Sequence, residues 1–242
     1  MILSFRLHFL RSGLASLSLL VLGLTAHAQT PTPVPPKAVL FQTLALGTPV
    51  SGLFYDLKGK PVPIQAGVAE LSRLYETNGD RAVSIYRLIP SPDPATPPLR
   101  VIMANLSLSE NHPHLILLTG APKAEGIKVN TLEDSWKIHP EKTFRIINHS
   151  KRNIAVQLGT EEKMIPSGQD WVFLSVGSGY DFDFKMASAE ASGWTLRVQA
   201  PQSILPRTRA LIVVSDPFPT PEDPNPVDLN MVTVFDAKQL TK

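Results

Sequence analysis

The most informative stretch of the chain is Phe144–Gly159, FRIINHSKRNIAVQLG, in which two apolar runs flank the polar connector Ser150–Asn153. Because successive side chains of a β-strand point to opposite faces, each run presents one apolar face. The side chains on these faces are Phe144, Ile146, Ile154, Val156 and Leu158. The pattern predicts a β-hairpin with these residues in a core and the connector as its polar tip.

The same stretch places His149 beside Ser150, the residue types of a base and a nucleophile. If the strand continues through them, the two side chains point to opposite faces. A serine nucleophile also needs an oriented base and an oxyanion hole, and the chain contains no Gly-x-Ser-x-Gly elbow. We therefore interpret the stretch as architecture and predict no catalytic residue in the chain.

The rest of the chain continues in the same style, as short runs rich in Val, Ile, Leu, Phe and Thr between turn residues. Such runs are typical of many short strands joined by turns. Prolines cluster at positions 90–98 and 217–226. Since proline cannot donate to a sheet ladder, both clusters are predicted to be surface loops. The predicted fold class is all-β, a β-sandwich.

Two segments resemble each other, Val50–Gly67 (VSGLFYDLKGKPVPIQAG) and Asn153–Gly168 (NIAVQLGTEEKMIPSG). Each contains a strand, a charged tight turn, an apolar run with a proline, and a small residue before glycine. If this is a duplication, the chain holds two immunoglobulin-like sandwich units in tandem, residues 38–121 and 122–242. If it reflects generic hairpin chemistry, one larger sandwich covers the chain.

The N-terminus differs from the remainder. Residues 1–28 carry Arg6 and Arg11, then an uncharged apolar run, then the small-residue motif AHA, which is the order of a secretory signal peptide. The apolar run is shorter than the ~20 residues that a spanning helix needs, so cleavage is favoured over retention as an anchor, which stays the alternative. The Pro/Thr-rich residues 29–37 predict an extended linker. The mature chain is expected in the periplasm or outside the cell, with no integral membrane segment.

Composition excludes several classes of site and partner. The chain has no cysteine, which excludes disulfides, thiolate metal sites and a lipid-modified cysteine. Removal of Arg6 and Arg11 with the signal peptide leaves 21 basic and 21 acidic residues. Sequence-independent nucleic-acid binding needs many cations on one surface, so we predict no nucleic-acid partner.

Two histidines give the nearest approach to a metal motif. His112 and His114 would share one face of an extended strand and could bind the same ion. A competent site needs a third and often a fourth ligand, which the pattern does not supply. Both are retained as weak binding candidates, and the prediction is solvated histidines with no metal and no cofactor.

The aromatic residues Trp136, Trp171, Tyr180 and Trp194 could form a stacking platform for a sugar or a peptide. Trp171 and Trp194 lie in alternating apolar runs, so core packing is the favoured interpretation for them. Trp136 lies between Ser135 and Lys137 and is predicted to be exposed, which makes it the third weak binding candidate.

The Pro-rich loop Asp216–Asp228, DPFPTPEDPNPVD, is rich in acids. Carboxylates of such loops can bind Ca²⁺, but the spacing matches no calcium loop with a fixed glycine. Paired acids can also hydrolyse glycosides, which depends on a separation that only the fold determines. The default prediction is a surface loop of solvated carboxylates.

The segment Val129–Ser150, VNTLEDSWKIHPEKTFRIINHS, resembles an uncharacterised group of secreted all-β proteins from Verrucomicrobia-type bacteria. The acidic-Ser turn, the strand that ends in Asn148 and Ser150, and the following IAVQLGTEEKMIPSGQ carry the similarity. LFYDLKGKPVPI and the strand RTRALIVV are also similar, whereas Lys142-Thr143 replaces a Gly-Ser step of the group. The resemblance implies an exported, all-β protein and no catalytic residues.

These observations predict a non-enzymatic binding or structural module of the cell envelope, with a protein or polysaccharide partner. Exposed sheet faces and edges suit such contacts, including strand addition at an edge. The alternative is a hydrolase of an envelope or extracellular polymer that uses loop carboxylates.

Overall fold

The computed structural model describes residues 37–109, 112–119, 127–173 and 181–237, and the predicted signal peptide lies outside them. These residues form sixteen β-strands and no helix, which confirms the all-β prediction. The first eight strands are β1 Leu40–Leu46, β2 Val50–Leu57, β3 Lys60–Ala66, β4 Tyr75–Glu76, β5 Ala82–Ile89, β6 Leu99–Ser107, β7 His114–Thr119 and β8 Lys128–Glu133. The last eight are β9 Phe144–Asn148, β10 Ile154–Leu158, β11 Glu161–Ile165, β12 Asp170–Phe173, β13 Asp181–Glu190, β14 Gly193–Ser203, β15 Thr208–Ser215 and β16 Asn230–Ala237.

The strands form four four-stranded sheets, which pair into two sandwiches. Inner sheet I (β4-β1-β7-β8) packs on outer sheet I (β3-β2-β5-β6). Inner sheet II (β12-β9-β15-β16) packs on outer sheet II (β11-β10-β13-β14). The two inner sheets share a third apolar cluster, which includes Leu44, Leu117, Ile147 and Val213. The sheets therefore stack as outer I, inner I, inner II and outer II, which confirms the β-sandwich prediction.

The number of covered faces explains the sequence pattern of each strand. In outer sheet II, β10 alternates buried and half-buried residues, since only one face meets a core. In the inner sheets, β7 and β15 are buried along nearly their whole length because both faces are covered. The parallel pairs β1–β7 and β9–β15 lie there, as parallel strands usually do.

The two sandwiches correspond strand for strand, with β1–β8 arranged in the same order as β9–β16. The similar sequence segments form equivalent hairpins, β2–β3 and β10–β11. A bulge also recurs, because the register shifts at Ile85/Tyr86 of β5 and at Met186/Ala187 of β13. A bulge disturbs one specific position of a ladder, so its recurrence supports a duplication.

The segment between the sandwiches comprises residues 134–143, since β8 pairs with β7 along its length. The junction of the predicted units, 121/122, falls outside the described residues. In an immunoglobulin constant domain the first two strands share a sheet, whereas β1 and β2 lie in different sheets here. Each half thus resembles an immunoglobulin domain in its two packed sheets and differs from it in strand order.

The hairpin predicted for Phe144–Gly159 is wrong, because β9 and β10 belong to different sheets and the connector Ser150–Asn153 crosses between them. The predicted core residues of the stretch do lie in the core between these sheets. Strands that face each other from opposed sheets bury the same alternate positions as paired strands, so the pattern could not separate the two arrangements. Asn148 fixes the crossing, since its Nδ2 donates to the carbonyls of Arg152 (2.7 Å) and Ile165 (3.0 Å).

Candidate functional site

The outward face of outer sheet II carries a row of apolar side chains across all four strands. Its members, in register from β11 to β14, are Met164, Ala155, Ala187 and Leu196. We call these residues the apolar row. Met164 and Leu196 are 56% and 57% exposed. Exposed apolar residues are usually scattered singly, so a continuous row distinguishes this face.

The apolar row is concave, since its large side chains stand on the two edge strands and its alanines lie between them. It lines a depression of about 390 Å³, which we call the channel. The neighbouring row on the same face is polar and contains, from β11 to β14, Glu162, Gln157, Lys185 and Gln199. Lys185 has no ion-pair partner among the described residues. The channel therefore combines an apolar floor with an available cation.

The equivalent row of outer sheet I is filled by its own side chains. It consists, in register from β3 to β6, of Pro63, Phe54, Tyr86 and Ile102. Phe54 and Tyr86 occupy the positions of Ala155 and Ala187, and their rings stack with centroids 6.2 Å apart. The repeated strand framework thus has an aromatic floor in one half and an open channel in the other.

A polar cluster holds the Tyr86 ring in place. The Tyr86 hydroxyl donates to Asp56 Oδ1 at 2.6 Å, and Arg100 Nη1 donates to Asp56 Oδ2 at 2.6 Å. The Arg100 guanidinium lies 4.7 Å from the centre of the Tyr86 ring. Burial and the hydrogen bond to Asp56 raise the pKa of Tyr86 to about 12. The hydrogen bonds from Tyr86 and Arg100 lower the pKa of Asp56.

Trp171 and Trp194, predicted in the core, are 39% and 53% exposed, so that prediction is wrong. Trp171 lies on the edge strand β12, with Lys163 Nζ 3.7 Å from its ring centre. Its Nε1 donates to Glu161 at 3.3 Å, so the ring bridges to β11 of the other sheet. Trp194 points outward beside the apolar row, because the bulge at Arg197 reverses the alternation along β14. Tyr180, the fourth aromatic candidate, lies outside the described residues.

Trp136 is half-buried, not exposed as predicted, because the Arg209 guanidinium lies 4.3 Å from its ring centre. Arg209 also donates to Asp134 Oδ2 at 2.7 Å, and both side chains are buried. Arg145 Nη1 approaches the other Asp134 oxygen at 3.5 Å. These residues form an ion cluster at the segment that joins the sandwiches, which gives Trp136 a structural setting away from the channel.

The two histidine candidates do not face one ligand. His112 Nδ1 lies 2.9 Å from Glu133 Oε1, and the buried His114 accepts a hydrogen bond at Nε2 from the Ser109 N–H at 3.0 Å. His114 Nδ1 has no hydrogen-bond partner in the part of the chain that the structure describes. No group of three or more His, Asp or Glu side chains within the described ranges is arranged to hold a metal ion.

His149 and Ser150 serve the crossing between sheets. The Ser150 hydroxyl donates to Asn148 Oδ1 at 2.7 Å, and the His149 N–H donates to the Val214 carbonyl at 2.7 Å. Burial lowers the pKa of the His149 imidazole, and the nearby Asp216 carboxylate acts in the opposite direction. The hydroxyl is thus held by Asn148 rather than by the imidazole.

The prediction that the acids of the loop Asp216–Asp228 are simply solvated is wrong for Asp216, whose side chain is 28% exposed, whereas the side chain of Asp228 is 78% exposed. Asp216 pairs with Arg152 at 3.3 Å and Asp228 pairs with Arg197 at 3.1 Å. Glu190 lies between the arginines, accepts a hydrogen bond from Arg197 Nη2 and forms an ion pair with Arg152 at 3.2 Å. The ends of the loop are therefore anchored to the second sandwich.

Comparison with models of known protein families and with curated proteins finds no match to this chain. Within the described ranges, no helix has the length and apolar character needed to cross a membrane.

Proposed function

We propose that this protein is an exported, non-enzymatic module of the cell envelope that binds a partner through the outward face of outer sheet II. The observation that carries the proposal is the apolar row. Continuous exposed apolar surface rimmed by polar groups is typical of interaction sites. Export is inferred from the order of charged, apolar and small residues in positions 1–28.

The dimensions of the face suit a polymer chain. Three strand spacings of ~4.8 Å separate Met164 from Leu196, which makes the channel about 14 Å wide between backbones. The outward face continues beyond the channel, because β13 and β14 are 10 and 11 residues long. The proposed partner is therefore an extended protein segment or a polysaccharide of the envelope.

The test compares binding of the purified protein to peptide and glycan arrays for two matched variants. Leu196→Glu places a charge on the wall of the channel, and Ile102→Glu places the same charge at the equivalent, exposed position of outer sheet I. We expect array signal for the unchanged protein and for Ile102→Glu, and loss of that signal for Leu196→Glu. Equal signals from both variants contradict the proposal, and turnover of an arrayed polymer favours the hydrolase alternative.

A further inference from the structure

We infer that the channel receives an extended peptide of a partner protein that carries two aromatic side chains at alternate positions and an acidic side chain at the next alternate position. This inference rests on the proposed function and specifies the partner's chemistry. Its basis is the comparison of two equivalent positions in one duplicated framework.

The two outer sheets differ in the floor of the equivalent row. Outer sheet I fills the middle of its row with Phe54 and Tyr86, whereas outer sheet II leaves the same space open above Ala155 and Ala187. The strand order, the pairing of the row's central residues and the bulge beside them are the same. The framework therefore shows which groups fit the open space, namely two neighbouring aromatic rings.

The spacing of the two rings in outer sheet I matches that of alternate side chains in an extended peptide. The ring centroids of Phe54 and Tyr86 are 6.2 Å apart. In an extended peptide, side chains two residues apart point to the same side and are separated by about 6.8 Å. A peptide with the pattern aromatic-x-aromatic, laid across β10 and β13, therefore places one ring over Ala155 and one over Ala187.

Trp194 exposes its ring beside the apolar row. Trp194 pairs with Ala189, which lies two residues beyond Ala187 on β13. Arg100 holds the equivalent position in outer sheet I, since it pairs with Leu88, two residues beyond Tyr86. Arg100 covers the Tyr86 ring at 4.7 Å. Trp194 is thus positioned to cover an incoming ring over Ala187, as Arg100 covers Tyr86. Ring–ring contacts of this kind add to the stabilisation from burial.

The two outer sheets also differ in how the charges beside the row are paired. The polar cluster of outer sheet I contains its own ion pair, Asp56 with Arg100. On outer sheet II, Lys185 borders the channel without a carboxylate partner among the described residues. An acidic side chain two residues beyond the second ring lies on the same side of the extended peptide and supplies that partner. Glu162, at the β11 end of the same row, repels an acid and so sets the direction of the peptide.

The test is a calorimetric titration of the protein with the capped peptide Gly-Phe-Ser-Tyr-Ser-Asp-Gly, whose Phe, Tyr and Asp share one side of an extended chain, beside a peptide in which alanine replaces both aromatic residues. We expect the aromatic peptide to bind at least about tenfold more tightly, the size of effect that such ring contacts give. Ala187→Tyr copies Tyr86 into the channel and is expected to abolish this difference. Ala95→Tyr, the same change in an exposed loop of the first half, is expected to preserve it.

Charge variants keep the inference testable if Ala187→Tyr disturbs the fold. Lys185→Gln is expected to weaken binding of the aromatic peptide about threefold, as for an exposed ion pair, and Glu162→Gln is expected not to weaken it. Equal affinities for the two peptides, or unchanged affinity in both Ala187→Tyr and Lys185→Gln, overturn the inference. If the peptides fail while the array signal still depends on Leu196, the inference falls and the proposed function stands.

Discussion

Removal of one carboxylate should reveal how strongly the ion cluster at the junction stabilises the protein. The Asp134 side chain is 8% exposed and lies 2.7 Å from Arg209, whose side chain is 3% exposed. Asp134→Asn keeps the shape of the side chain and leaves Asp236, at 2.7 Å, as the carboxylate that pairs with Arg209. Breaking a buried pair costs about 3–5 kcal/mol. Since Asp236 remains, we expect a loss of about 3 kcal/mol.

The assay is urea unfolding followed by circular dichroism, in which a loss of this size lowers the midpoint by about 1 M or more. The matched control is Asp228→Asn, which removes an aspartate that also pairs with an arginine but is 78% exposed. Exposed pairs contribute about 1 kcal/mol or less. Equal midpoints for the two variants would refute the argument that burial makes the junction cluster important.

Three further outcomes are expected. Gly47 has φ +87°, and a Cβ added there would lie 1.9 Å from the Phe218 ring, so Gly47→Ala should lower the free energy of unfolding by about 3 kcal/mol. Gly59→Ala should lower it by only about 1 kcal/mol, because Gly59 has φ +73° with no atom within 4 Å of the added Cβ. In thermal unfolding, an additional Phe218→Ala substitution should remove the extra loss at Gly47. Tyr86 should ionise near pH 12 in an ultraviolet tyrosinate titration. The stability that its neutral form contributes is therefore complete below pH 10 and is lost between pH 10 and about 12. Tyr86→Phe should abolish this loss of stability. Asn148→Ala should lower the free energy of urea unfolding by about 2–3 kcal/mol, because the Arg152 and Ile165 carbonyls lose their hydrogen-bond donor. Asn153→Ala, at an exposed position, should lower it by less than about 1 kcal/mol.

The sequence predicts which residues are buried better than it predicts how strands pair. Alternation placed Ile146 and Ile154 in one core, where the structure also places them. It could not show that β9 and β10 lie in opposed sheets, since both arrangements bury the same positions. β9 instead pairs with β12 and β15, and β10 pairs with β11 and β13. Of these partners, β15 and β13 lie far along the chain.

The sequence did not predict the apolar row, because the bulge at Arg197 shifts which residues of β14 point outward. Trp194, Leu196 and Val198 share one face of a regular strand, which predicts them all in the core. The extra residue Arg197 turns Trp194 and Leu196 outward, whereas Val198 packs against the core. No local sequence signal marks a bulge of this kind, although its equivalent in the first half lies at Met103.

The junction cluster was also beyond local sequence analysis. Asp134 and Arg209 are brought together by the pairing of β15 with β9, and Asp236 arrives from β16. Isolated charges along the chain give no indication of such a meeting. Trp136 was therefore predicted to be exposed, and Arg209 had no predicted role.

The most direct test of the central claim is a map of backbone amide chemical shifts when the protein binds a peptide or glycan identified on the arrays. We predict that the largest changes fall on β10, β13 and β14, around Ala155, Ala187 and Leu196. Outer sheet I should remain unchanged, because Phe54 and Tyr86 already fill the equivalent space. Changes centred on outer sheet I or on the loop Asp216–Asp228 would contradict the account.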